Sequence, residues 1–170
     1  MRMLLPINLK KWIDEHRHLL KPPVGNQVVY KDAEFIIMVV GGPNIRKDYH
    51  VNKGEEFFYQ LEGNMVLRIR EKGKPKDIPI NEGEIFLLSP NIPHSPQRFE
   101  NTVGLVIERK RHVDELDGFQ WYCDECHAML YDKYISLTDI VKQLPPLFEE
   151  FWSNEDARKC KKCNAILNKP

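Results

Sequence analysis

The chain has 170 residues, and its 25 lysines and arginines balance its 25 aspartates and glutamates, so that the formal net charge is zero at pH 7. This length can bury one core with a small appendage, and a balanced charge gives no overall field to attract nucleic acid or an anionic membrane, so we expect neither as a partner. No apolar run is long enough to span a membrane or to form a signal peptide, so we expect a cytoplasmic protein.

The first predicted element is a short helix over residues 8–20. Asn8 can cap its N-terminus, and Pro22 and Pro23 end it. The side chains that fall on one side of this helix are those of Trp12, His16, Leu19 and Leu20. This spacing indicates one apolar face that packs on the rest of the protein.

From residue 28 to residue 109 the pattern changes to short apolar runs separated by turn residues. The runs cover residues 28–30, 34–40, 56–60, 65–70, 78–80, 84–88 and 103–109. Many short strands at regular spacing are typical of a β-sandwich or a β-barrel. We therefore expect a mainly β domain over residues 1–109, with the helix at its N-terminus.

The remaining residues, 110–170, are expected to form a linker and a tail that packs on the barrel as one unit with it. Residues 110–119 are polar and predict the linker. The tail holds an apolar stretch, 135–152, which the pair Pro145-Pro146 is expected to interrupt because proline breaks the interior of a helix.

The four cysteines stand in this tail as two C-x2-C pairs separated by 33 residues. They are Cys123, Cys126, Cys160 and Cys163. In a chain without an export signal, such pairs indicate a metal site rather than disulfides. Four thiolates suit Zn(II) or a single iron in tetrahedral geometry and leave no open position, so the predicted role is structural.

Two histidines and a carboxylate stand at the edges of strand-like runs in the first domain. His50 and Glu56 lie in the segment HVNKGEEFFYQLEG, and His94 lies in PNIPHSPQR. Two imidazoles and one carboxylate on one face of a metal, with open positions left, form the arrangement that binds non-haem Fe(II) for oxygen chemistry. The pattern therefore predicts an iron enzyme with these three ligands.

Strand alternation favours Glu56 over its neighbour Glu55 as the ligand. In an unbroken strand His50 and Glu56 have the same parity and point to one face together with Phe58. Glu55 then points the other way. A bulge near Gly54 would remove this argument.

Two arginines and a glutamate are the predicted substrate contacts. Arg46 lies four residues before His50, and Arg98 lies four residues after His94. Because a guanidinium matches the two oxygens of a carboxylate, their convergence on the metal predicts an aromatic or aliphatic acid as substrate. Glu108 belongs to an apolar run in which an unpaired charge is costly, so it needs a partner, either Arg98 or a substrate donor.

The metal-site segments resemble the two cupin sequence motifs, G-x5-H-x-H-x3,4-E-x6-G and G-x5-P-x-G-x2-H-x3-N. The positions that match are His50, Glu56 and Gly63 in the first motif, and Gly83 and His94 in the second. The positions that depart are Asn52, which replaces the second histidine, and Ser89, Asn91 and Arg98, which replace the proline, the second glycine and the asparagine. With one histidine fewer, three protein ligands remain, and a coordination position is freed for substrate and dioxygen.

Over nearly its whole length the chain resembles the bacterial 3-hydroxyanthranilate 3,4-dioxygenase family. The strings that carry the resemblance are LLKPPVGNQ (19–27), VVGGPN-x-R-x-DYH (39–50), EEFFYQLEGN (55–64), INEGEIFLL (80–88), NIPHSPQRF (91–99) and LVIER (105–109), together with the two C-x2-C pairs and the LPPLFE between them. The resemblance implies a cupin barrel, that is, a double-stranded β-helix or jelly roll. It also implies a rubredoxin-like iron site in the C-terminal segment, which turnover does not require.

The resemblance further implies roles for individual residues. Fe(II) is held by His50, Glu56 and His94, the substrate is contacted by Glu56, Arg98 and Glu108 with Asn26 and Phe58 lining the pocket, and Arg46 lies where dioxygen and the substrate carboxylate approach. The residues expected to act in catalysis are Arg46, Arg98 and Glu108.

In the family, both atoms of O2 are inserted into 3-hydroxyanthranilate. The ring opens to 2-amino-3-carboxymuconate semialdehyde, which cyclises to quinolinate, a precursor of NAD in the kynurenine pathway. A homodimer is expected mainly from the resemblance, and also because Phe57 and Tyr59 are predicted to face away from the metal and need cover.

Two other functions stay open at this point. A cupin dioxygenase or isomerase acting on another small carboxylic acid would share the metal ligands and differ in substrate. A non-catalytic cupin or zinc-knuckle binding protein would carry zinc in the thiolate site and would show no turnover.

Overall fold

A computed structural model of the chain describes residues 3–22, 25–30 and 33–170. The helices are α1 (Leu9–His16), α2 (Ile140–Trp152) and α3 (Glu155–Arg158). The strands are β1 (Asn26–Val28), β2 (Phe35–Gly41), β3 (Asp48–Val51), β4 (Glu56–Glu62), β5 (Met65–Glu71), β6 (Lys74–Ile80), β7 (Ile85–Leu88), β8 (His94–Arg98), β9 (Val103–Arg109), β10 (Asp117–Tyr122) and β11 (Met129–Ile135). The mainly β class predicted from the sequence is confirmed.

The strands form two antiparallel sheets with the main core between them. The first sheet has the order β1-β2-β9-β4-β7, and the second has the order β11-β10-β3-β8-β5-β6. Alternate side chains of each strand point into the space between the sheets, where Phe58 and Val106 of the first sheet pack with Leu67 and Ile69 of the second.

In the described part of the chain, none of the helices has the length and apolar character that a membrane crossing requires.

The predicted N-terminal helix begins where expected and ends earlier. The Asn8 side chain accepts a hydrogen bond from the backbone N–H of Lys11 at 3.0 Å, which caps α1. The α-helix ends at His16 and continues as a 3₁₀ turn over Arg17–Leu19. Pro23, which was expected to help end the helix, lies outside the described residues.

The buried face of this segment also differs from the predicted one. Ile13 and Leu20 pack against Val39 and Val103 on the outer side of the first sheet. Leu19, expected on the buried face, is 41% exposed. The prediction assumed α-helical spacing up to residue 20, whereas a 3₁₀ turn has about three residues per turn and rotates the last side chains.

The predicted linker over residues 110–119 is wrong at its C-terminal end. Asp117–Tyr122 form β10, which pairs with β3 in the register Gly118↔Val51. Five of its six residues are buried. The tail and the barrel therefore share one sheet across the predicted boundary at residue 109.

The expected interruption at Pro145-Pro146 is also wrong, because both prolines lie inside α2. A proline ring fixes a backbone angle that a helix can use, although each proline removes one helical hydrogen bond. The loss is offset by burial of one helix face, since Leu147 and Phe151 belong to a core cluster with Trp121.

Truncation of Phe151 should destabilise this second core strongly. Its ring is fully buried and stacks on Trp121 with a centroid distance of 4.4 Å. We expect Phe151→Ala to lower the free energy of unfolding by about 3–5 kcal/mol, because deletion of a buried ring leaves a cavity. Urea denaturation measures the change. Val113→Ala is the control, since Val113 is fully exposed and its truncation should change stability by less than about 0.5 kcal/mol. Equal effects of the two substitutions would contradict this packing.

Candidate active site

The two predicted histidines lie side by side on neighbouring strands of the second sheet. His50 on β3 and His94 on β8 are paired in the register, and their ring centroids are 5.2 Å apart. His94 Nδ1 lies 2.9 Å from the backbone oxygen of Ile92. His50 Nε2 lies 2.6 Å from Asp117 Oδ2. When these nitrogens donate, His94 Nε2 and His50 Nδ1 are left as free acceptors, which is how a metal-binding imidazole is oriented.

Glu56 reaches the same point from the opposite sheet. Its Oε2 lies 3.2 Å from His94 Nε2, and its Oε1 lies 3.5 Å from His50 Nδ1. The unbroken strand assumed in the sequence argument is not found, because β3 ends at Val51 and β4 begins at Glu56. The inward direction of Glu56 comes from β4 alone, where it shares the buried face with Phe58.

The donor atoms of these three residues fit a divalent metal. They all lie within 4.8 Å of one another. Ligand atoms at bond lengths near 2.1 Å and at right angles are about 3 Å apart, close to the separations found here. Two imidazole nitrogens and one carboxylate oxygen are the donor set that suits non-haem Fe(II), and three donors leave part of its coordination shell to other ligands.

The ionisable groups at this point interact strongly, so that a proton on His50 would compete with a metal. Burial raises the pKa of Glu56, but His94 and His50 outweigh burial and hold that pKa well below its usual value. Burial lowers the pKa of His50, while Asp117 and Glu56 outweigh it and raise that pKa to about 9. A divalent cation would therefore displace a proton from His50, because a metal binds the neutral imidazole.

Asn52, at the position of the missing cupin histidine, holds two carboxylates. Its buried side-chain amide donates to Glu56 Oε1 at 2.6 Å and to Glu108 Oε2 at 3.3 Å. The sequence interpretation noted only that Asn52 is not a histidine. The departure from the motif was the signal for this position, and the hydrogen bonds of Asn52 fix the position of the Glu56 carboxylate.

Arg98 is a buried cation beside His50, Glu56 and His94, which are called the metal group from here on. It is 1% exposed and lines the same cavity as His50, Glu56 and His94. Its Nη1 donates to Gln60 Oε1 at 3.1 Å, and no carboxylate of the described residues pairs with it. Burial lowers the pKa of Arg98 to about 10, so the side chain stays charged at neutral pH. A buried cation without a carboxylate partner is costly, and a bound anion would supply the missing counter-charge.

A glycine makes the space for this guanidinium. A β-carbon at Gly104 would lie 2.5 Å from Arg98 Nη1 and 2.8 Å from Gln60 Oε1. Both distances are too short for non-bonded atoms, so any side chain here would push the guanidinium from its position. The glycine in the apolar run of β9 is therefore part of the site.

Arg46 lines the same cavity, and it differs from Arg98 in having a carboxylate partner. Its Nε lies 3.1 Å from Asp48 Oδ1, and its Nη2 also contacts the Asp48 carboxylate. Burial lowers the pKa of Arg46, but Asp48 outweighs burial and raises it. The spacing of the two arginines from the histidines predicted their convergence, and the structure brings both to one cavity.

Of the two partners expected for Glu108, Arg98 or a substrate donor, Arg98 does not pair with it. Glu108 is buried on β9, beside Glu56 in the register, and its ion-pair partner is Arg111, whose Nη1 lies 2.9 Å from Glu108 Oε1. Burial and the charge of Glu56 raise the pKa of Glu108 against the opposing effect of Arg111. Arg111 was missed because it lies in the segment that was predicted to be a linker.

The cavity formed by these side chains has a volume of about 80 Å³. Asn26 and Phe58, the predicted pocket residues, line it together with Ile140 and Leu144 of α2. A larger cavity of about 570 Å³ adjoins it, and Asn26, Arg46 and Leu144 line both. The arrangement combines apolar walls, two cations and a metal-binding group, which suits a small flat acid.

The four cysteines also come together, as predicted. Their sulfur atoms lie within 4.8 Å of one another, and the pairs Cys123–Cys163 and Cys126–Cys160 are each 3.5 Å apart. Sulfurs bound to one tetrahedral metal at about 2.3 Å are about 3.8 Å apart, so the cluster fits a single ion. Backbone N–H groups of Cys163 and Lys162 lower the pKa of Cys160 to about 6. The backbone N–H of Ala165 lowers the pKa of Cys163, but the three neighbouring thiols outweigh it and raise that pKa to about 12.

Two facing antiparallel sheets that enclose a His/Glu/His group define a cupin of the non-haem metal class. A solved structure with this fold is that of a cupin-2 domain containing protein from Shewanella frigidimarina NCIMB 400, with a TM-score of 0.50 and 17% identity over 61% of this chain and 94% of that chain. The chain belongs to the 3-hydroxyanthranilic acid dioxygenase family, whose sequence model matches residues 1–152.

Similar proteins carry the name 3-hydroxyanthranilate 3,4-dioxygenase. One from Xanthomonas euvesicatoria pv. vesicatoria (strain 85-10) is 52% identical over 168 residues, which cover 99% of this chain and 95% of that protein. One from Jannaschia sp. (strain CCS1) is 53% identical over 167 residues, covering 98% and 93%. The family resemblance and the cupin architecture predicted from the sequence are confirmed, and the similarity extends through the cysteine-containing tail.

Proposed function

We propose that the protein is a non-haem Fe(II)-dependent dioxygenase that converts 3-hydroxyanthranilate and O2 into 2-amino-3-carboxymuconate semialdehyde, the precursor of quinolinate in NAD biosynthesis. Both oxygen atoms enter the product as the aromatic ring opens. The proposal is carried by one cavity in which the metal group lies beside a buried arginine that has no carboxylate partner among the described residues. Such a cavity selects an anion and holds it at a metal. Family membership narrows the anion to 3-hydroxyanthranilate.

The proposed iron ligands are His50, Glu56 and His94. When bound, Fe(II) supplies the redox chemistry by which dioxygen reacts with an aromatic ring. The surrounding residues keep the ligands in place, since Asp117 holds the His50 ring and Asn52 holds the Glu56 carboxylate.

The two arginines of the cavity, Arg98 and Arg46, are proposed to bind different anionic groups. Arg98 is proposed to bind the substrate carboxylate, because its buried charge has no carboxylate counter-charge in the described part of the chain. Arg46 is proposed to lie at the approach of dioxygen and to stabilise negative charge that develops on oxygen. Phe58 and Asn26 would lie against the ring. These contacts fix the substrate so that its reacting carbons face the oxygen.

Glu108 is the proposed proton acceptor. Burial and the Glu56 charge raise its pKa, which suits a group that takes the proton of the substrate hydroxyl near neutral pH. Its neighbour Glu56 also faces the substrate position from the same end of the sheet. Both carboxylates would therefore contact the hydroxyl and amino edge of the substrate.

Oxygen uptake tests the proposed reaction. Apo-protein is loaded with Fe(II) without air, and 3-hydroxyanthranilate and then air are added. We expect one O2 consumed per substrate, with loss of the substrate absorbance and formation of quinolinate. Protein whose catalytic site is shown to be full of iron and which consumes no oxygen would reject the proposal.

We also propose that the cysteine cluster holds iron or zinc in a structural site, and that residues 110–170 fold with residues 1–109 as one unit. The four sulfurs leave no room for a further ligand on a tetrahedral ion. A cytoplasmic location is part of the proposal, since thiols that ligate a metal must stay reduced.

Loss of one thiolate should lower stability more than turnover. Cys163 is exposed, so Cys163→Ser changes little packing apart from the metal bond. We expect the midpoint of thermal unfolding to fall by about 10 °C, or about 3 kcal/mol, because metal binding is coupled to folding. Turnover per catalytic iron should stay within about twofold of the parent. Lys161→Ser, in the same turn, is the control. Turnover lost while iron remained at the histidines would contradict a structural role.

We propose that the protein is a homodimer formed through the outer face of the first sheet. Ile85 and Leu87 of β7 are 65% and 54% exposed. They pair with Tyr59 and Phe57 of β4, whose side chains also face away from the metal. An apolar sheet face of this kind needs cover, and a second copy supplies it through a two-fold contact.

A charge on this face should separate the two copies. We expect Leu87→Lys to halve the mass in solution, because the lysine charge would be buried in the contact. Light scattering after size exclusion measures the mass. Met129→Lys is the control, since Met129 is a similarly exposed side chain on the second sheet. A parent protein that is itself a monomer, or a dimer that both substitutions leave intact, would contradict the proposed face.

A further inference from the structure

Arg111 contacts two buried carboxylates with all three of its guanidinium nitrogens. It lies just after β9, and its Nη1 is 2.9 Å from Glu108 Oε1. Its Nε and Nη2 are 3.0 Å and 2.7 Å from Asp117 Oδ1 and Oδ2. The bidentate contact with Asp117 and the single contact with Glu108 hold the two carboxylates at fixed positions relative to each other.

From these carboxylates the hydrogen bonds continue to the metal ligands. Asp117 Oδ2 lies 2.6 Å from His50 Nε2. On the other side, Asn52 Nδ2 lies 3.3 Å from Glu108 Oε2 and 2.6 Å from Glu56 Oε1. The arginine is therefore the point at which the supports of two metal ligands, one from each sheet, are joined.

The buried negative charges of Asp117 and Glu108 are balanced by the positive charge of Arg111. Asp117 and Glu108 are 1% and 4% exposed, so water cannot replace a lost partner without a rearrangement. Within the described residues, Arg111 is the cationic side chain that pairs with Glu108, and Asp117 pairs with Arg111 and His50. Removal of one partner from a buried ion pair leaves an uncompensated charge that the structure must move or hydrate. The carboxylate that fixes the His50 ring would then lose its own support.

We propose that Arg111 is a positioning residue that holds Asp117 against His50 and Glu108 beside the substrate position, so that one side chain sets both the metal affinity and the approach of the substrate. The substrate part rests on the proposed function. The metal part rests on the contacts alone.

Manganese binding tests the metal part without turnover. Mn(II) is the probe because it takes imidazole and carboxylate ligands, whereas soft thiolates favour zinc and iron. Loss of the electron paramagnetic resonance signal of free Mn(II) reports binding to the apo-protein. We expect Arg111→Ala to raise the dissociation constant about 10–100-fold, the usual effect of losing a residue that supports a metal ligand. His94→Ala should abolish binding, which assigns the signal to this site.

Arg68 provides a control for the loss of a bidentate ion pair at the surface, where its side chain is 41% exposed. Its guanidinium makes the same kind of bidentate pair with Asp77, at 2.7 Å and 3.0 Å, on β5 and β6 and outside the metal cavity. Arg68→Ala should leave the dissociation constant of Mn(II) within about twofold of the parent. An equal loss in both variants would show that the effect comes from general destabilisation and would overturn the proposal.

Rescue by free guanidinium separates positioning from a general structural role. Millimolar guanidinium can refill the space left in Arg111→Ala and should restore most of the Mn(II) affinity, without effect on the parent or on Arg68→Ala.

Arg111→Lys keeps the charge and loses the three-nitrogen contact, so its affinity should lie between those of the parent and the alanine variant. It replaces Arg111→Ala if circular dichroism shows that the alanine variant does not fold. A folded variant at Arg111 that binds Mn(II) like the parent would overturn the proposal.

Kinetics of the iron-loaded variants test the substrate part. Arg111→Lys should raise KM for 3-hydroxyanthranilate by a larger factor than it lowers kcat. If the parent consumes no oxygen, the proposed function fails, and the Mn(II) comparison still decides the role of Arg111. If the parent turns over and the Mn(II) affinities of parent and variant agree, the inference about Arg111 alone is wrong.

Discussion

His94→Ala is expected to lower oxygen consumption with 3-hydroxyanthranilate by a factor of about 10³ or more, because the metal contribution to catalysis is worth several kcal/mol. His94 is buried, and its Nε2 lies 3.2 Å from Glu56 Oε2, where it supplies one of the three grouped donors. The two donors left, from His50 and Glu56, hold a divalent ion too weakly for full occupancy. Oxygen uptake and metal content, measured on the same sample, check the expectation.

The variant should stay folded and should keep the metal of the cysteine cluster, since the two sites lie in different parts of the chain. Metal analysis should therefore show the loss of one equivalent rather than of all bound metal. His18→Ala, which removes an exposed histidine, is the control and should match the parent in both measurements. Retained turnover in a folded His94→Ala protein would remove His94 from the site.

The metal group could be predicted from the sequence because its residues stand in motifs with fixed spacing. The reason first given for Glu56 does not hold, since His50 and Glu56 lie on strands of different sheets. Alternation within β4 alone gives the correct inward direction, because Glu56 and Phe58 are both buried there. Parity arguments therefore hold within a strand and fail across the turn that separates two strands.

The second sheet was the least predictable part of the fold. Its strands β3 and β8 carry polar side chains on their buried faces, so no apolar alternation marks them. The inward positions hold His50, His94 and Arg98, which line the cavity as polar side chains in place of apolar ones. The search for apolar runs found β4 and β9, where apolar side chains accompany Glu56 and Glu108, and it missed β3 and β8, where the inward side chains are mostly polar.

Arg111 and Asp117 were missed for a related reason. Both are charged residues in a polar stretch, and charged stretches are usually solvated loops. The run Phe119–Tyr122 that follows is rich in aromatic residues and was the available signal for a strand. Recognition of that strand would have placed Asp117 at the start of β10, next to β3 and its histidine.

Arg98→Met is expected to lower kcat/KM for 3-hydroxyanthranilate by a factor of about 10²–10³, because a buried charge-assisted contact with a carboxylate is worth about 3–4 kcal/mol. Methionine nearly fills the space of the arginine stem and cannot bind the anion. The ring 2-aminophenol has the same neighbouring amino and hydroxyl groups and lacks the carboxylate. It should be a poor substrate of the parent and should lose almost nothing further in the variant.

Substitution of Arg98 and substitution of Arg46 should change the free energy of unfolding differently. Arg98 has Gln60 as its hydrogen-bond partner and no carboxylate partner in the described chain, so Arg98→Met should leave the free energy of unfolding unchanged or higher. Arg46→Met leaves the buried carboxylate of Asp48 without its cationic partner and should lower that free energy by about 3 kcal/mol. Urea denaturation of both variants measures the contrast. If Arg98→Met slowed both substrates equally, Arg98 would not be the carboxylate-binding residue, and the preference for an acid would have to come from Arg46.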